Sequence, residues 1–170
     1  MSKWTNYQLG IAFLFGALMV LNNVYAEQVS SVFSFMEQWI APGILIIFFT
    51  VILIVWGTAC ILLLQEKKGK LLFVHKVWRI MPAIMGIILI LSFILAITLF
   101  LTTLSDIGQT LYWILDLSII YFLIIYYYFI LSLFVRYSKI KTSRGKILTS
   151  ANTAVLILIF VILFLPMLTV

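Results

Sequence analysis

Charge is scarce in this chain of 170 residues, and acidic charge is scarcest. Charged residues make up only 9% of it, with five Asp and Glu against eleven Lys and Arg. Hydrophobic residues make up 65%. A soluble fold of this size cannot hide that much apolar surface, so lipid is the expected solvent. Cys60 is the only cysteine, which excludes an intramolecular disulfide, a CxxC redox pair and a cysteine-built metal cluster. His75 is the only histidine. It cannot supply paired axial ligands to a haem, and no Cys or carboxylate at metal spacing accompanies it. The sequence also lacks a Gly-rich phosphate loop, HExxH and GxSxG. No catalytic set, metal or cofactor is therefore expected.

What is present is a series of apolar runs separated by basic clusters. The eleven basic residues fall in three places. Lys3 lies at the N-terminus. Lys67, Lys68, Lys70, Lys76 and Arg79 form one cluster, and Arg136, Lys139, Lys141, Arg144 and Lys146 form another. Between them run stretches near the length that crosses bilayer hydrocarbon as a helix, over residues 7–25, 43–64, 80–101, 111–135 and 151–168. The expected fold is all-α: one polytopic transmembrane domain of five helices over residues 1–170. The first run has a rival reading. A basic start, an apolar stretch and Val24-Tyr25-Ala26 resemble a secretory signal cleaved after Ala26, which would leave four spans.

Residues 27–40 carry Val29, Val32, Phe33, Met36 and Ile40 at spacings of three or four. This fits a short amphipathic helix in the outer membrane surface, with Trp39 at headgroup level. Pro42 suits the first turn of the next span, and Pro82 the first turn of the one after. Residues 65–79 and 136–150 are the basic loops, and within the first of them Leu71, Val74 and Trp78 can share one apolar face along the inner leaflet.

Lys and Arg in short loops mark the cytoplasmic side. The two clusters are two spans apart, so they fall on the same side and agree. The N-terminus is then inside, 22–42 and 102–110 are outside, and the C-terminus is outside. The formal charge of +6 would suggest nucleic acid in a soluble protein. Confined here to span ends, it points instead to orientation and to anionic lipid of the inner leaflet. No nucleic-acid partner is expected.

Packing between spans must come from small residues and hydrogen bonds, because lipid tails are as apolar as the side chains. Ala12 with Gly16, Gly57 with Ala59 and Cys60, Ser92 with Ala96, and Ala151 with Ala154 are the candidates. Thr98, Ser118, Ser132 and Thr153 can satisfy their hydroxyls on their own helices. Tyr126, Tyr127 and Tyr128 approach the inner interface and are expected to anchor the fourth span there.

Asp116 is the one ionisable side chain well inside a span, with Tyr112 one turn earlier on the same face. These two are the candidates for ligand or proton handling, set against a structural polar contact near the outer surface. Asp106 and Asp116 together raise a two-aspartate intramembrane hydrolase, but neither sits in a local motif for that chemistry. The ten residues of the two basic clusters are the candidate contacts for anionic lipid or a partner.

The leading expectation is a small multi-pass protein of a bacterial cytoplasmic membrane that acts by interaction and is not an enzyme. It would serve as an accessory subunit of a membrane complex, or as an immunity-type protein against a membrane-directed toxin. The alternative is a transporter or permease component with an outward-facing site around Asp116, and a hydrolase comes third.

Overall fold

A computed structural model of the chain describes residues 3–24, 42–68, 73, 76–103 and 112–164, with side chains over 4–17, 48–68, 73, 76–98 and 117–162. Five helices are present among them: α1 (Lys3–Val24), α2 (Pro42–Lys67), α3 (Met81–Thr103), α4 (Tyr112–Tyr137) and α5 (Ser143–Phe164). A short 3-10 turn, Lys76–Arg79, precedes α3. There is no strand among the described residues. Four stretches are long and apolar enough to cross a membrane: Phe48–Lys67, Met81–Thr98, Leu117–Tyr137 and Ser143–Ile162. They mark the chain as a helical membrane protein. The first of the five expected spans, α1, is a helix of 22 residues, but over its described residues it does not join that set.

Helix is the form such runs take in lipid, because every backbone N–H and C=O must find a partner within the segment. The ends follow from local chemistry. Pro42 opens α2 and Pro82 sits in the first turn of α3, where the amide that proline lacks would have no intrahelical acceptor. The carbonyl of Ile80 accepts from the N–H groups of Ala83 at 3.1 Å and Ile84 at 3.2 Å. At the far end of α4, the N–H of Ser138 donates to the carbonyl of Phe134 at 3.0 Å, and the Ser138 hydroxyl then accepts from the N–H of Ile140 at 3.1 Å.

The helix that carries the fifth expected span begins at Ser143, ahead of residue 151. Thr142 is its N-cap: the hydroxyl oxygen accepts from the N–H of Gly145 at 3.2 Å, and its carbonyl from the N–H of Lys146 at 3.1 Å. Arg144 and Lys146 are thus in the first turn of α5 rather than in the loop. Positive charge is unfavourable at a helix N-terminus. Lys146 offsets this by donating from Nζ to the carbonyl of Val135 at 3.2 Å, near the C-terminus of α4, where carbonyls lack helical partners.

The core lies among α2, α4 and α5. Val55, Ala59, Tyr127, Leu131, Ile147, Ala151 and Ala154 are fully buried there. Ala59, Ala151 and Ala154, with the buried Ser132 and Ser150, let the backbones approach closely. Buried hydroxyls close on their own helices: Thr58 onto Ile54 O at 2.8 Å, Ser132 onto Phe129 O at 2.6 Å and Ser150 onto Ile147 O at 2.9 Å. No buried side-chain polar atom among the described residues is left unpaired.

Within the tyrosine run, Tyr127 is a core residue, whereas Tyr126 and Tyr128 are half-buried. Tyr127 is fully buried, with its hydroxyl 3.4 Å from the carbonyl of Ile147, and the Tyr126 hydroxyl lies 3.4 Å from that of Ala154. These distances are long for a hydroxyl donor. The rings fill space between α4 and α5 and their hydroxyls find acceptors second. Among the described residues α3 packs chiefly on α4, and its outer face presents Ile87, Ile90, Leu91, Ile94 and Leu95.

Candidate functional site: a basic end with a cleft

Chain direction and contacts gather the charged ends of the helices. Near the start of α1, Gln8 donates from Nε2 to the carbonyl of Ile61 at 3.1 Å, toward the end of α2. Just beyond α2, Lys68 Nζ donates to the Thr5 hydroxyl at 3.1 Å and to Gln8 Oε1. Lys146 ties the start of α5 to the end of α4. The 3-10 turn packs against α3 and α4, and its Trp78 stacks edge-on to Phe73 with centroids 4.8 Å apart. The start of α1, the end of α2, the start of α3, the end of α4 and the start of α5 therefore share one end of the bundle. Both basic clusters meet there.

Of the ten cluster residues, Lys67, Lys76, Arg79, Arg136, Lys139, Lys141 and Arg144 are exposed, Lys68 and Lys146 are half-buried, and Lys70 lies outside the described residues. They do different things. Lys68 spends its N–H groups on Thr5 and Gln8 and acts as a latch between α1 and α2. Lys146 serves the carbonyl of Val135. Arg136 lies over the ring of Tyr137 at 5.0 Å, and Lys67 over that of Trp4 at 5.0 Å, favourable placements for cations.

Beside this end a cleft of about 350 Å³ opens between α1, α2 and α5. Tyr7 and Ile11 line it from α1, and Cys60, Leu63 and Leu64 from α2, while Lys67 and Arg144 supply its charge. Its walls are mostly apolar and its cations belong to the charged end. Sequence reasoning did not find it. Trp4, Thr5 and Gln8 interrupt the apolar start of α1, but they meet Lys67, Lys68 and Ile61 rather than line the cleft, which is set by tertiary contact alone.

Other expected features fall elsewhere. Tyr112 and Asp116 are four residues apart in the first turns of α4, which puts them on one helix face; their side chains lie outside the described residues, as does Asp106. The amphipathic segment 27–40, His75 and most of 69–75 also lie outside them. No group of His, Cys, Asp and Glu that could hold a metal ion occurs among the described residues.

Fold and site together define a small helical membrane protein with one strongly basic end and an apolar cleft beside it. Comparison with protein-family models, with curated proteins and with solved structures gives no match.

Proposed function

We propose that this is a small multi-pass protein of a bacterial cytoplasmic membrane that acts by binding rather than by chemistry, with its basic end toward the cytoplasm. It would serve as an accessory subunit of a membrane complex or as an immunity-type protein. The observation that carries this reading is the gathering of both basic clusters at one end, where seven cations stand exposed while the rest of the described surface is overwhelmingly apolar. Such an end offers charge to an acidic partner or a lipid surface, each near-surface cation contributing about 1 kcal/mol toward anionic lipid.

The test is purification of the full chain in mild detergent, with mass spectrometry of what accompanies it. A stoichiometric membrane-protein partner, lost when Lys139 and Lys141 are changed to Glu, is the expected result. A strictly solitary protein at native expression would remove the subunit reading. The transporter alternative requires Asp116→Asn to abolish uptake or export with insertion intact.

A further inference from the structure

We infer that the cleft between α1, α2 and α5 is a binding site for one anionic phospholipid, its phosphate held by Lys67 and Arg144 and the first part of an acyl chain lying along Ile11, Leu63 and Cys60. Charge complementarity carries the assignment. The cleft combines apolar walls with two cations and no acid among its lining residues, which suits an amphiphile with an anionic head and suits neither a polar metabolite nor a neutral lipid. Depth agrees. Lys67 ends one span-length stretch and Arg144 stands at the start of another, so both charges lie at headgroup level. Cys60, seven residues before Lys67 in the same helix, lies about 10 Å deeper by the helical rise.

The two cations are also the ones available. Lys68, next to Lys67, is taken up by Thr5 and Gln8, and Lys146, two residues from Arg144, by the carbonyl of Val135. Lys67 is steadied over Trp4 without using its N–H groups, and a guanidinium can grip two phosphate oxygens at once. The volume of about 350 Å³ is at the small end of ligand clefts, roughly 300–1,000 Å³. That is enough for part of a lipid whose remaining chain stays in the bilayer.

The inference rests on the reading of this end as a binding surface at the bilayer, but not on any protein partner, so the two can fail separately. The experiment uses the full chain, without partners, in phosphatidylcholine nanodiscs doped with phosphatidylglycerol carrying a photoreactive acyl chain. Adducts are mapped by mass spectrometry. Saturable labelling of cleft residues such as Ile11, Cys60 and Leu63 is expected from phosphatidylglycerol. The same photoreactive chain on phosphatidylcholine should label them little. The Lys67→Gln/Arg144→Gln variant should lose about thirtyfold in preference for the anionic lipid, the factor for two near-surface cations. Lys139→Gln/Lys141→Gln, changed outside the cleft, should weaken the general attraction of the surface for anionic lipid but leave the saturable labelling of Ile11, Cys60 and Leu63 in place.

Equal labelling by the two lipids would overturn the proposal, and the wild-type series decides this even if the variant fails to insert. Labelling confined to the outer face of α3 would do the same. Displacement by millimolar inorganic phosphate as effective as by unlabelled phosphatidylglycerol would transfer the site to a soluble anion. If the lipid result fails while a protein still co-purifies, only this inference falls.

Discussion

Gly57 shows how much a single absent side chain decides in a bundle that hydrophobicity alone cannot hold together. The ring of Phe15 rests where a Cβ on residue 57 would stand, its Cζ 2.5 Å from that position. Helix propensity favours replacing the glycine, by about 1 kcal/mol for alanine. Overpacking opposes it, typically by 1–3 kcal/mol. Alanine needs only a swing of the ring, so its two effects nearly cancel. Leucine cannot be met that way, and Gly57→Leu is expected to destabilise the solubilised protein by about 1–3 kcal/mol in a denaturant titration. Phe15→Ala in the same chain should recover most of the loss, because it empties the seat. Independent, additive costs in the double-mutant cycle would show that the two residues do not meet. Gly86 is the contrast: a Cβ there would find Phe129 at 3.5 Å, an ordinary contact.

Among elements, α1 depends most on specific polar contacts. It carries Thr5, Asn6 and Gln8 in its first turns, and its mid-helix small residues are not used: Ala12 and Gly16 are exposed, and nothing lies within 4 Å of where a Cβ on Gly16 would stand. Among the described residues no small-residue seam forms there, and Phe15 with the Gln8–Lys68 latch holds the helix to α2. Gln8→Leu takes one acceptor from Lys68 and one donor from the carbonyl of Ile61. Interhelical hydrogen bonds in membranes average about 0.6 kcal/mol, with a maximum near 1.7. Because the lost acceptor serves a half-buried ammonium, the upper part of that range applies. The expected outcome is a loss of about 1–2 kcal/mol of stability with α2 to α5 still assembled, detected as faster proteolysis confined to α1. No change in either measurement would mean that the latch contributes nothing.

The same comparison shows what was legible in the chain. Span-length apolar runs, the prolines that open α2 and α3, and the small residues Ala59, Ala151 and Ala154 could be read directly, because lipid fixes the periodicity and length of its helices. Ser132 and Thr98 also close on their own helices as expected. Two features were not legible, for different reasons. The start of α5 is obscured by Arg144 and Lys146, which read as loop charges, and Thr142 lacks the Glu or Gln three residues on that would mark a capping box. Residue type alone points Tyr127 to the interface, whereas its burial depends on which face of α4 meets α5. One-dimensional hydropathy carries depth but not azimuth. The cleft was invisible to it for that reason.

For the whole molecule, the arrangement of helix ends and their sidedness are separate claims, and one experiment can test both. The contacts put residues 65–68, 76–79 and 138–144 at one end, whichever way the bundle sits in the bilayer. The excess of Lys and Arg then argues that this end is cytoplasmic. On a Cys60→Ala background, Lys76→Cys, Lys139→Cys and Lys141→Cys replace exposed side chains, so a membrane-impermeant maleimide can reach each from the aqueous side that it faces. All three should resist labelling in intact cells and react in inverted vesicles. Leu156→Cys, at a position 65% exposed in the middle of α5, should react in neither, because what surrounds it is lipid. The failures are distinct. Common labelling from outside would reverse the orientation and leave the bundle intact. Labelling that separates residue 76 from residue 141 would break the bundle itself, since an antiparallel α3 and α4 oblige those two loops to share a side.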